Sequence, residues 1–201
     1  MTPDLILNHM DSVALEVITG CMWAGKSREL IRRLHLAEIA GLHALVVKPL
    51  RDTRDGETFE AVVVASAADI LSHVHENHEV IGIDETHFFD EGLIDVVREL
   101  IARKKRVIAS GLNLDWQAIP FNVTAHLMAL ASNVSVLTAV CTSCRSFHAV
   151  RSQRIAKSTD RILPGDADDY QPRCLACFEV ASPVLPLSKA AEGVAVEFAT
   201  R

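Results

Sequence analysis

The chain has no stretch approaching the roughly 18 apolar residues that a membrane-spanning helix requires, so a bilayer partner is not expected. It is also short of positive charge. Against 26 acidic side chains stand 20 basic ones, for a formal net charge of -6, the wrong sign for gripping nucleic acid through the overall field. RKKR at 103–106 is the one basic cluster, and between an amphipathic segment and the run VIAS it reads as a solvated helix end. There is no internal repeat. The opening MTPDLILNHMDS has neither a basic leader nor a cleavage signature, and the expected location is the cytoplasm. Cysteine is sparse, but four of the five fall in two C-x-x-C pairs, an economy that suits metal binding in a reducing compartment.

What is present is a chain of 201 residues, about half of them apolar, enough for one ordinary domain, or one domain with a small appendage, and a substantial core. From Val13 short apolar runs alternate with segments of helical period, which predicts an α/β fold built on a mostly parallel sheet flanked by helices. Strands are expected at 14–19, 43–47, 79–84, 106–110 and 135–140. Helices are expected at 27–40 and 91–105, with weaker helical signals at 66–75 and 124–131. After Val140 the chain becomes polar and turn-rich. This divides it into a nucleotide-binding domain at 13–140 and a small lobe at 141–181, with tails at 1–12 and 182–201.

Residues 20–27, GCMWAGKS, follow the apolar run LEVIT and precede an amphipathic segment, which is the context a G-x-x-x-x-G-K-[ST] phosphate cradle requires. Glycines at 20 and 25 let successive N–H groups of Cys21, Met22, Trp23 and Ala24 turn toward phosphate oxygens, aided by the dipole of the next helix. Lys26 brings a mobile charge to the terminal phosphates of a nucleotide, and the Ser27 hydroxyl is a ligand for Mg2+. A carboxylate for the same metal is expected at the end of a second strand. The stretch EVIGIDETHFF supplies Asp84, with Glu85 beside it pointing elsewhere as a candidate base. Phe88 and Phe89 would wall such a site from water.

Cys141, Cys144, Cys174 and Cys177 form a tetrathiolate set suited to structural zinc, since four thiolates leave no open position for a substrate. The 29 residues between the pairs exceed the usual ribbon spacing, but loop-closure entropy grows too slowly for that to forbid it. A redox role is the rival reading, disfavoured by two copies in one lobe. Cys21 is a separate thiol expected to pack, and His148 a surface or packing histidine rather than a ligand.

Cradle, acid pair and cysteine lobe, in this order, resemble the type II thymidine kinases. Further stretches match in sequence order: KPLRDTR at 48–54, GLNLDWQAIPF at 111–121, RSQR at 151–154 and GDADDYQPRC at 165–174. The resemblance implies a P-loop NTPase-like domain with a zinc-ribbon-like lobe carrying a lasso-like lid. It implies transfer of the γ-phosphoryl of ATP to the 5′-hydroxyl of thymidine, or of deoxyuridine. By position, Glu85 matches the catalytic base, with Lys26 at the phosphates. ATP contacts fall on Gly20 to Ser27, on Asp52, Thr53 and Arg54, and on Asp84, Glu85, Thr86 and His87. Nucleoside contacts fall on Met22, Phe88, Leu112, Trp116 and Ser152, and on the lid residues Arg161, Ile162, Leu163, Pro164, Gly165 and Tyr170. A homotetramer, with a dimer as fallback, and feedback by thymidine triphosphate are also implied.

The chain departs from the family pattern at His87 (commonly Gln), Asn113 (Asp), Trp116 (Phe), Ser152 (Thr) and Asp166 (Gly). Two other functions fit the cradle: a P-loop ATPase whose zinc ribbon grips nucleic acid, and a nucleotide-binding interaction module without catalysis. GDADDY, with three acids in six residues, repels a phosphate backbone, and intact Lys26, Ser27, Asp84 and Glu85 argue against lost catalysis.

Overall fold

The computed structural model describes residues 14–50, 60–157, 160–161 and 168–179. In chain order the elements are β1 (Leu15–Gly20), α1 (Lys26–Ile39), β2 (Ala44–Pro49), β3 (Val62–Val64), α2 (Ile70–His73), β4 (Val80–Ile83), a 3-10 turn (Thr86–Phe88), α3 (Gly92–Ala102), β5 (Arg106–Gly111), α4 (Asn122–Leu130), β6 (Asn133–Leu137), β7 (Arg151–Arg154) and β8 (Tyr170–Arg173). The first six strands form one sheet in the order β3-β2-β4-β5-β1-β6, and every pairing in it is parallel. No helix among the described residues is long and apolar enough to cross a membrane.

β1 lies between β5 and β6 and is buried along its whole length, which is why LEVITG reads as a nearly continuous apolar run. Its side chains alternate between two cores. Leu15 and Val17 join Ile81, Ile83, Val107 and Ala109 under α3 and α4, where Leu93, Val97, Leu100 and Leu127 are fully buried. Ile18 faces the opposite side with Ile108, Val46 and Val80, against Leu30, Leu34 and Ala37 of α1. Each such leucine contributes about 1.5–3 kcal/mol by leaving water.

Several expected elements shift. The strand expected at 135–140 runs instead over Asn133–Leu137, because Ala139 leaves the sheet to pair antiparallel with Ala149. The helix expected at 66–75 shrinks to Ile70–His73, and β3, β7 and β8 were not anticipated. RKKR is only in part a solvated helix end. Arg106 opens β5 and pairs with Glu16, a buried acid on β1 that Arg33 of α1 also holds at 2.8 Å. Beyond β6, β7 and β8 pair antiparallel, with Arg151 opposite Arg173 and Arg154 opposite Tyr170.

Candidate active site

Loop 21–25 joins β1 to α1 at the carboxyl end of the sheet, where a parallel α/β fold binds its ligands. The two glycines that frame it are dictated by geometry. A Cβ on Gly20 would stand 2.2 Å from the Leu137 carbonyl oxygen, so no side chain fits there. Gly25 caps α1 at φ 80 with no side-chain cap, and the first turn of a helix is where backbone amides can meet an anion such as phosphate. Lys26 is buried and its Nζ donates to the Cys21 carbonyl at 2.9 Å, so the ammonium lies folded over the loop.

The cradle is also bound to the small lobe at three consecutive residues. The Cys21 thiol donates to the Ala149 carbonyl at 3.2 Å, the Met22 N–H to Ser152 Oγ at 3.0 Å, and the Trp23 indole N–H to the Tyr170 carbonyl at 3.4 Å. Burial pushes the Cys21 thiol up, so it packs and donates rather than reacts.

Asp84 follows β4 and Glu85 begins the turn after it, in the left-handed region at φ 51. Trp23 is likewise left-handed at φ 66. Such conformations cost roughly 1–3 kcal/mol each and persist where surrounding structure over-determines them. Burial raises the Asp84 pKa, the charge on Glu85 adds to that, and a hydrogen bond from Ser27 opposes it. Ser27 and Asp84 thus present hydroxyl and carboxylate oxygens side by side, a donor pair that fits Mg2+.

Glu85 is buried and accompanied by His87, whose Nδ1 accepts the Leu112 N–H at 3.2 Å and lies 3.4 Å from Glu85 Oε2. The His87 ring is held between Phe88 and Phe121, with centroids 4.3 and 5.0 Å away. Thr86 is fixed differently, its hydroxyl 3.1 Å from that of Thr124.

Met22, Trp116 and Tyr170 are packed into one buried cluster with Leu112 against it, so these four expected nucleoside contacts come together beside the cradle. Ser152 is buried at the Met22 amide. Arg161 turns toward protein: its Nε donates to Asp115 Oδ2 at 2.8 Å and its NH2 to the Pro120 carbonyl at 2.9 Å. The expected contacts at Asp52, Thr53, Arg54, Ile162, Leu163, Pro164 and Gly165 lie outside the described residues, as do both tails.

Two residues of this region were not foreseen. Asp115 is buried in the loop after β5 and accepts the N–H groups of Gln117 and Ile119 as well as Arg161. Arg154 is buried on β7 against Trp116 and Tyr170. Both lie in stretches that match the family, GLNLDWQAIPF and RSQR, but the sequence gives neither a role, because Arg161 in the one case and Trp116 and Tyr170 in the other reach them from distant segments.

The four cysteine sulfurs at 141, 144, 174 and 177 all lie within 4.8 Å of one another. The Cys144 and Cys174 sulfurs are 3.6 Å apart, near the ~3.8 Å edge of a tetrahedron with Zn–S bonds of about 2.3 Å. The N–H of Cys144 lowers the Cys141 pKa to about 6. Cys144 goes the other way: although the Ser146 N–H lowers it, the Cys174, Cys141 and Cys177 thiols push it up to about 11. Four crowded thiols cannot all ionise without a cation among them, and the set fits zinc. Cys21 packs on Cys141 and Cys174 from the cradle side, while His148 is exposed and outside the set.

A family model described as thymidine kinase matches residues 13–178, spanning the cradle, the acid pair, the aromatic cluster and the cysteine set. This chain belongs to the thymidine kinase family.

Proposed function

We propose that the chain transfers the γ-phosphoryl group of ATP to the 5′-hydroxyl of thymidine, giving thymidine monophosphate and ADP, with deoxyuridine as a second acceptor. The observation that carries this reading is the convergence of three parts at one end of the sheet. They are a cradle closed by Lys26, the buried Glu85, and the cluster of Met22, Leu112, Trp116 and Tyr170. Phosphoryl transfer asks little covalent chemistry of a protein, so positioned charge and a placed base do most of the catalysis.

In this reading the cradle amides and Lys26 hold the β and γ phosphates. Ser27 and Asp84 would hold Mg2+, which would neutralise charge on those phosphates. Glu85 takes the proton of the 5′-hydroxyl. The oxygen so released bonds to the γ phosphorus, the bond from that phosphorus to the bridging oxygen breaks, and its electrons leave with ADP. The aromatic pocket excludes water that would otherwise accept the phosphoryl group. The division into a domain at 13–140 and a zinc lobe at 141–181, the contacts at 52–54 and 162–165, a homotetramer, feedback by thymidine triphosphate and a cytoplasmic location belong to the same proposal.

Transfer of labelled phosphate from ATP across a panel of deoxynucleosides tests it directly. Thymidine is expected to lead, and turnover without nucleoside, or preference for a purine, overturns the substrate assignment. Glu85→Gln is expected to lower kcat by about 100- to 10,000-fold with ATP binding kept. Survival of turnover within a few-fold would remove Glu85 as the base.

A further inference from the structure

We infer that Arg154 is a positioning residue that holds Trp116 and Tyr170, the aromatic side chains of the nucleoside site, in place, and that this chain's tryptophan is part of the same device. The inference rests on the nucleoside-kinase reading above.

β7 presents alternate side chains to the site. Ser152 and Arg154 are its two buried residues, and two residues apart they share one face of the strand. Ser152 holds the cradle at Met22, and Arg154 holds the pocket. The Arg154 guanidinium carbon lies 4.7 Å from the centre of the Trp116 ring and 5.1 Å from that of Tyr170. Its NH2 donates to the Tyr170 hydroxyl, its NH1 to the Asp160 carbonyl, and its NH2 also approaches the Arg161 carbonyl at 3.5 Å. A flat, delocalised cation with several donors can stack on two rings and bond in its own plane at once, whereas a lysine ammonium is a point charge that cannot do both.

The Trp116 indole N–H donates to the same Asp160 carbonyl, at 3.3 Å. Guanidinium and indole therefore converge on one acceptor. A phenylalanine at 116 has no N–H for that bond, so the Trp116 departure adds a link rather than only bulk. Arg154 makes none of the three contacts by which the small lobe grips residues 21–23. Its loss should therefore fall on nucleoside binding and spare ATP.

The test uses the full chain in five forms: unchanged, Arg154→Lys, Arg154→Met, Trp116→Phe, and the double variant Arg154→Met with Trp116→Phe. Initial rates give the KM for each substrate at saturation of the other, and thermal midpoints are taken without substrates. Arg154→Met is expected to raise the thymidine KM about tenfold or more, with the ATP KM held within about twofold. Arg154→Lys is expected to restore less than half of that loss and carries the test if Arg154→Met does not fold. The double variant is expected to lose less than the product of the single losses, because both groups act on one carbonyl. An unchanged thymidine KM in Arg154→Lys overturns the inference, as does a parallel rise of both KM values with a fallen midpoint, which marks general destabilisation. If the unchanged chain phosphorylates no deoxynucleoside, the functional reading fails and takes the inference with it.

Discussion

The sheet half and the cysteine half of this chain are built on different physics. The sheet half buries apolar side chains on both faces, with Leu30, Leu34 and Ile18 packed on one side and Leu93, Leu100 and Leu127 on the other. The cysteine half has a two-stranded ribbon of four residues per strand, a cluster of small residues and thiols, and bonds across to the cradle. Ribbons of that size are marginal in water alone. The sheet therefore folds on area removed from water, while the small half has its four-cysteine set, which fits zinc, and the seam at residues 21–23. Where both halves meet lies the candidate site.

The largest expected effect separates them. Chelation of the protein, or Cys174→Ser with Cys177→Ser, should release about one zinc per chain and abolish nucleoside phosphorylation. Structural zinc contributes on the order of 10–16 kcal/mol in small domains. Far-UV circular dichroism should keep the signal of the sheet half. Absence of zinc from the unmodified protein, by metal analysis, would show that the small half is held by something else.

Next in size, Leu34→Ala strikes the sheet half alone. Leu34 is fully buried against Ile18, Val46, Val80 and Ile108, and its truncation should cost about 2–5 kcal/mol in denaturant unfolding, with zinc content unchanged. Equal loss of zinc would mean the two halves unfold as one unit. Ser152→Ala addresses the seam. It leaves the Met22 N–H without its buried acceptor, at about 1–3 kcal/mol, and should raise the ATP KM alongside the drop in thermal midpoint. A midpoint change with no effect on ATP would make the seam mechanical only.

The smallest effect is a gain. α1 and α3 end in the same turn, with N–H bonds from Gly41 to Glu38 and Leu42 to Ala37 in one, and from Lys104 to Ile101 and Lys105 to Leu100 in the other. Gly41 suits the left-handed position, but Lys104 occupies it at φ 61. Lys104→Gly should stabilise by about 0.5–1 kcal/mol, seen as a raised midpoint, with zinc content and both KM values unchanged.

The strands and helices of the sheet half were legible wherever apolar periodicity ran long enough, as in α1 and β5. They were misplaced where a segment's fate is set by a distant partner, as with β6, which ends where Ala139 turns to meet Ala149. Arg106 shows the same limit. Its place in RKKR suggests a solvated charge, and only the fold brings it to Glu16, 90 residues away in sequence.

The sequence by itself determined the cradle and the metal set, because each is written in short motifs whose backbone turns and thiols act on what lies beside them. The tertiary structure alone decided how the aromatic cluster beside the cradle is held together. Trp116, Arg154 and Tyr170 lie in three separate stretches that the sequence marks one by one, and only the fold packs them together, as it brings Asp115 to Arg161 across 46 residues. A buried charge is tolerable only where stacking rings and carbonyls surround it, and those surroundings exist only after the chain has closed.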